Sequence, residues 1–214
     1  MLKNNLCTLA LVSTGITLSL TAISAKPAQA TRFHLGGFPS LSSSFDYSKE
    51  GIDLTVTAGS TAGPRNVARG FLGLGVKGGF FDDPELDGLG PNEALFLDFN
   101  KKISLVSATF SRVGFNDDFR LFVDGDFLVA EDIPGGNFFD TGIGTFRFKK
   151  FAPDNQGTKF TFTVAGKNDD YFLKKVKVKV VPEPASLLGL LAVGALGISS
   201  GLKGKKSGQE HEQA

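Results

Sequence analysis

Lys174-Lys-Val-Lys-Val-Lys-Val180 is the stretch from which the fold is read. Val176, Val178 and Val180 fall on one side of an extended chain and Lys175, Lys177 and Lys179 on the other, because successive side chains of a strand alternate between its faces. A helix would scatter those valines around its circumference. The segment is therefore a half-buried strand, and its lysine face guards against edge-to-edge pairing with another chain. Regular alternation is what solvating a single face requires, so the lysines do not mark a nucleic-acid patch.

Working outward, the same period of two recurs in 52–58, 94–99, 102–110, 119–123, 145–149 and 159–164. Turn signals separate these runs: Asp87-Gly88, Asp124-Gly125, Pro134-Gly-Gly136 and Asn155-Gln-Gly157. Val123-Asp-Gly-Asp-Phe127 reads as a tight hairpin, since Asp-Gly accepts the positive φ angles that a two-residue loop needs. No helical pattern of any length interrupts them. Many short strands with glycine-rich turns predict an all-β domain over residues 31–181, a β-sandwich of jelly-roll-like type. The chain has 21 phenylalanines and no tryptophan, so phenylalanine is the expected core filler.

Both ends depart from this pattern. Lys3, an apolar run over about 6–23 and Ala28-Gln-Ala30 give the three parts of a secretory signal peptide over residues 1–30, with the mature chain starting at Thr31. Cys7, the only cysteine, goes with it. Disulfides, thiolate catalysis and cysteine metal sites are thereby excluded from the mature protein. The formal net charge is +1, which implies no broad field for nucleic acid.

At the other end Val181-Pro-Glu-Pro-Ala-Ser186 precedes an uncharged run, Ala185 to Leu202, rich in Leu, Ala, Val and Gly. Its 18 residues reach the lower length of a membrane helix. Lys203, Lys205 and Lys206 follow, which by the positive-inside tendency stay on the cytoplasmic side, and 207–214 form a polar tail. The segment 182–206 resembles the PEP-CTERM sorting signal of exported bacterial proteins, in its Pro182-Glu183-Pro184 motif, its apolar helix and its basic end. The resemblance implies recognition by a membrane-embedded exosortase that cuts near the motif and passes the protein to the envelope or matrix, in a setting of exopolysaccharide production. The two prolines keep the motif extended and free of ladder hydrogen bonds, which suits a protease. Leu86 to Leu95 and Asp117 to Gly125 are similar, more loosely, to modules that recur in such proteins.

Signals for chemistry are few. Gly73-Leu-Gly-Val-Lys-Gly78 matches the dinucleotide pattern, but Gly79-Phe-Phe-Asp-Asp-Pro84 follows it, which cannot open the helix that a pyrophosphate needs. His34 stands alone outside the tail, with nothing beside it to mark a nucleophile. The acidic stretch from Asp82 to Glu93 is richer in oxygen donors. Calcium takes six to eight oxygens, and Asp83, Asp87, Asn92 and Glu93, with Asp118 from a neighbouring loop, are the candidate ligands. The alternative is a solvated acidic turn, since the spacing is not that of an EF-hand.

The expectation is a non-enzymatic envelope or matrix protein: exported, anchored through the C-terminal helix before processing, an exosortase substrate, and a binding or structural module for exopolysaccharide. The rival is a secreted polysaccharide hydrolase with an acid and a base among Asp83, Asp87, Glu93 and Asp118. A purely structural matrix subunit is the third reading.

Overall fold

The computed structural model describes residues 29–80 and 82–182. The expected signal peptide, the apolar span 185–202, the lysines after it, and Glu183 and Pro184 of the expected sorting motif lie outside the described residues. No helix among the described residues is long and apolar enough to cross a membrane.

The strands in chain order are β1 (Thr31–His34), β2 (Ser40–Ser42), β3 (Ser44–Lys49), β4 (Ile52–Ser60), β5 (Gly63–Gly70), β6 (Gly73–Lys77), β7 (Leu86–Asp87), β8 (Glu93–Val113), β9 (Asp118–Val123), β10 (Asp126–Asp132), β11 (Gly142–Arg147), β12 (Gln156–Val164) and β13 (Asp170–Val180). A single short 3-10 turn, Lys149–Phe151, is the only helical element among the described residues. The all-β expectation holds for them.

The layers are not two separate sheets, as a sandwich would have them. One 13-stranded sheet runs through the molecule and closes on itself in the order β4, β5, β6, β13, β8 and back to β4. The cause is β8. Sequence alternation marks two strands, at 94–99 and 102–110, but Asn100 and Lys101 continue the ladder between them, making one strand of 21 residues. Its first half pairs with β4 and β12, its second with β13 and β11. A straight strand of that length would span about 70 Å. Here Glu93 meets Asp87, which opposes Asp170, while Ser111 opposes Phe172, so both ends of β8 come to the start of β13. The strand turns back near Asn100–Lys102 and belongs to both layers, with the result that the core is a closed barrel carrying outer strands.

The valines of the opening stretch behave as alternation requires. Val176 and Val178 are fully buried while Lys175 and Lys177 face outward. The core is aromatic, as composition predicts. Phe110 lies 5.2 Å from Phe119 and 5.1 Å from Tyr171, ring to ring, and Phe119 packs edge-on against Phe146 and Phe148. Burying each such ring contributes about 2–3 kcal/mol, and the edge-to-face contacts add to it. The Tyr171 hydroxyl, wholly buried, donates to the Thr163 carbonyl at 3.0 Å.

The Asp124-Gly125 hairpin forms between β9 and β10 as read from sequence, with φ of 51° and 97° at its two central residues. The dinucleotide-like run is β6. Gly75 is needed there because a Cβ would collide with the Pro84 carbonyl and the Glu85 backbone, which cross directly above it.

The barrel has two unlike ends. Thr31 pairs with Val178, and the Val181 N–H donates to the Lys102 carbonyl, so both ends of the described chain emerge beside the bend of β8. The opposite end gathers residues 78–80 and 82–85 and the loops 88–92, 114–117, 133–141 and 165–169. Contacts link them in sequence: Gly88 N–H to Asp169 O, Asn116 Nδ2 to Asn168 O, and Asn137 N–H to Val113 O.

Candidate functional site

The loop end holds most of the acidic residues that sequence singles out. A buried or half-buried carboxylate needs donors, and backbone N–H groups of these loops supply them. Asp82 accepts from Gly78 N–H, Asp117 from Gly114 N–H and Asp169 from Gly166 N–H. Asp87 Oδ1 accepts from Leu89 N–H at 2.9 Å, and Asn137 Oδ1 takes the N–H groups of Phe139 and Thr141 at 3.0 and 3.1 Å. Each side chain closes its own loop. Asp117, which is 5 % exposed, also accepts from Asp170 N–H and so ties two loops together.

The charges crowd one another. Burial raises the Glu93 carboxyl to about 8, with Asp87 and Asp82 pushing the same way and the Asp87 N–H and Arg65 opposing. Burial likewise raises Asp87, helped by Asp82, Asp170 and Asp83. Asp117 is pushed up to about 6 by burial and then by Asp170 and Asp169, against its two backbone hydrogen bonds. Asp118 Oδ1 is buried without a donor, and Asp118 stands directly opposite Asp132 across β9 and β10. Burial first, and Asp132 next, raise its carboxyl to about 6. One cation bonds a carboxylate here: Arg112 holds the nearly buried Glu85, pinning the end of β8 to the loop before β7.

The candidate ligand set does not come together on one point. Asp87 and Glu93 meet directly, the Asp87 N–H donating to Glu93 Oε2 at 3.3 Å. Asp83 is exposed beside them and acts on Asp87 and Asp170 through charge alone. Asn92 is held by its backbone carbonyl, which accepts from Thr61 N–H, and lines a separate shallow groove with Phe96, Arg120 and Phe122. Asp118 belongs with Asp132. Among the described residues no group of three or more histidine, cysteine, aspartate or glutamate side chains is placed to hold a metal ion. Of the five, only Asp87 and Glu93 stand together, and each gives an oxygen to a backbone N–H, so the set as placed does not form a calcium cage. Of the hydrolase candidates, Asp87 and Glu93 are neighbours, but Glu93 is only 4 % exposed and its carboxyl faces protein.

Sequence reasoning passed over the feature that dominates this end. Phe80, Leu89, Phe115, Phe138 and Phe139, at the tips of these loops, are between 73 and 92 % exposed. Phe138 and Phe139 meet edge to face at 5.5 Å, on the loop that Asn137 closes. A soluble surface rarely groups large apolar side chains in this way without a partner. The signal was present: Gly114-Phe-Asn-Asp117 and Gly166-Lys-Asn-Asp169 repeat one pattern, glycine N–H to aspartate carboxylate, and mark two of the loops.

Pro182, the first residue of the Pro-Glu-Pro triplet, is exposed. It follows the last ladder bond, from Val181, and having no N–H it cannot extend the sheet. No family model matches the chain, and no curated protein matches it.

Proposed function

We propose that this protein is an exported envelope or matrix component, carried out by its signal peptide, anchored through the apolar span 185–202 and handed on by an exosortase. Its β domain is a non-enzymatic module for exopolysaccharide and its associated matrix. The observation that carries the reading is the polarity of the barrel. Thr31 and Val181 leave from one end, next to Pro182, while the aromatic loop tips stand at the other. A domain anchored through Val181 would turn those tips away from the membrane and towards whatever surrounds the cell. The two sequence ends supply the rest: an Ala-x-Ala cleavage pattern before Thr31, and the Pro-Glu-Pro motif, apolar run and lysines after Val181.

Fractionation of cells producing the full chain, with N-terminal sequencing of the product, tests this. The expected result is a chain starting at Thr31 in the envelope or the medium. A cytosolic chain with residues 1–30 intact would end the proposal. Replacing Pro182 and Pro184 by alanine in the same cells is expected to keep the protein membrane-bound, because the motif is the processing signal.

A further inference from the structure

The sheet face built by β1, residues 174–180 of β13, residues 103–111 of β8 and β11 joins segments that contain no carboxylate at all. Residues 31–34, 103–111, 142–147 and 174–180 include not one aspartate or glutamate. Strand register lines their outward side chains into rows. Arg32 opposes Lys177, Lys177 opposes Ser107, and Ser107 opposes Arg147. With strands about 4.8 Å apart, this row spans about 14 Å. The next row, about 7 Å along the strands, is His34, Lys175, Thr109 and Thr145. Thr109 and Thr145 share a hydrogen bond of 2.9 Å, and a groove of about 270 Å³ runs between the rows.

Like charges directly opposite in a sheet are destabilising, and here Arg32 faces Lys177. The protein does nothing to relieve this. The ion pairs among the described residues are Arg112–Glu85, Lys150–Glu131 and Lys159–Asp98, none of them on this face. Lys49 adds a further cation by donating to the Arg32 carbonyl, and Glu50, near the start of β1, is engaged by the Thr31 hydroxyl. The His34 imidazole is held below its ordinary value, by burial first and then by Lys175, Arg32 and Lys49.

We infer that this face binds a linear acidic polysaccharide, whose carboxylate or sulfate groups lie along the Arg32–Lys177–Ser107–Arg147 row. Ammonium and guanidinium groups pair with the anions, and the interleaved serine and threonine hydroxyls bond sugar oxygens. The groove has no aromatic ring on its walls, so it lacks the stacking platform of a single-strand nucleic-acid site. Val106 is the one apolar residue on the groove's walls, where insertion into a bilayer needs an apolar face, so the row is not built as a membrane surface. The inference rests on the proposed function only for where such a polymer would be met.

The test is co-sedimentation of the full chain, in mild detergent, with alginate, neutral dextran, a single-stranded oligonucleotide and vesicles containing phosphatidylglycerol. Alginate is expected to bind, more weakly as salt is raised to about 0.5 M, and dextran not at all. Lys175→Glu with Lys177→Glu is expected to weaken alginate binding about tenfold or more, and Arg32→Gln with Arg147→Gln, which is milder for folding, about threefold or more. Lys149→Glu with Lys167→Glu makes the same charge change elsewhere and is expected to leave binding within about twofold. Equal losses from both lysine pairs, no loss in either face variant, or stronger capture by oligonucleotide or vesicles would each overturn the inference. A cytosolic chain that still binds alginate through Lys175 and Lys177 would sink the targeting proposal and leave this face standing. An exported chain indifferent to these lysines would do the reverse.

Discussion

The loop end and the β1–β13–β8–β11 face are both dense in charge, yet they treat it in opposite ways. At the loop end the carboxylates of Asp82, Asp87, Glu93, Asp117 and Asp169 are occupied by the protein's own backbone, and Asp82, Asp117 and Asp169 each close the loop they sit in. On the sheet face Arg32, Arg147, Lys175 and Lys177 hold no ion pair and stand among like charges. The difference teaches how to separate architecture from recognition. A charge that satisfies buried N–H groups serves the fold, whereas one kept against the pairing rules of the sheet is free for the anionic ligand proposed above.

Substitutions can break this contrast, and the largest effect belongs at the loop end. Asp117→Ala strands the Gly114 and Asp170 N–H groups, and is expected to lower stability by about 2–3 kcal/mol in thermal or denaturant unfolding. A loss within about 0.5 kcal/mol would mean that water replaces the carboxylate and that the clip is ornamental.

Glu93→Gln should act with the opposite sign and only at higher pH. The folded protein keeps the Glu93 proton up to about 8, above the model-compound 4.5, so the unfolded chain binds fewer protons across that window and stability falls as pH rises through it. Removing the charge is expected to stabilise the fold by about 1–2 kcal/mol near pH 9 and to change little near pH 4. Equal effects at both pH values would show that Glu93 acts through packing or hydrogen bonding rather than through its charge.

Smaller still is the effect of Phe138→Ser with Phe139→Ser. Both rings are exposed and their loop is held by Asn137, so unfolding is expected to shift by less than about 0.5 kcal/mol. A larger loss would move these rings from partner contact to structure.

Lys177→Ala sits at the bottom of the scale. It is expected to gain a few tenths of a kcal/mol at low salt by relieving Arg32, a gain that disappears as salt screens the pair. Destabilisation at low salt would mean that the lysine has an anionic neighbour on the protein after all.

How much of this was legible follows from the kind of information each element carries. Alternation is local, so β4, β9, β12 and β13 could be read directly from their own residues. β5 and β6 could not: Gly63 to Gly70 and Gly73 to Lys77 gain their strand conformation from neighbours, and their glycines answer to contacts such as Gly75 against Pro84. β8 was split because Asn100 and Lys101 look like a break, and its continuity depends on pairing on both sides. Closure of the barrel was therefore invisible. In the candidate site the acidic loop was legible but its role was not, since the partners of the carboxylates are backbone groups, which sequence does not name. The basic row was least accessible of all. Arg32, Lys177, Ser107 and Arg147 come from four distant segments, and only register puts them side by side.

β13 runs from the loop end to the chain exit with β8 along one side and β6 and then β1 along the other. A pull on the chain at Val181 therefore acts along this strand rather than across it. The ladders on both flanks are loaded in shear, so many hydrogen bonds must yield together, whereas a strand peeled from an edge would give them up singly. Under a pull at Val181 the domain is thus held by the whole length of β13.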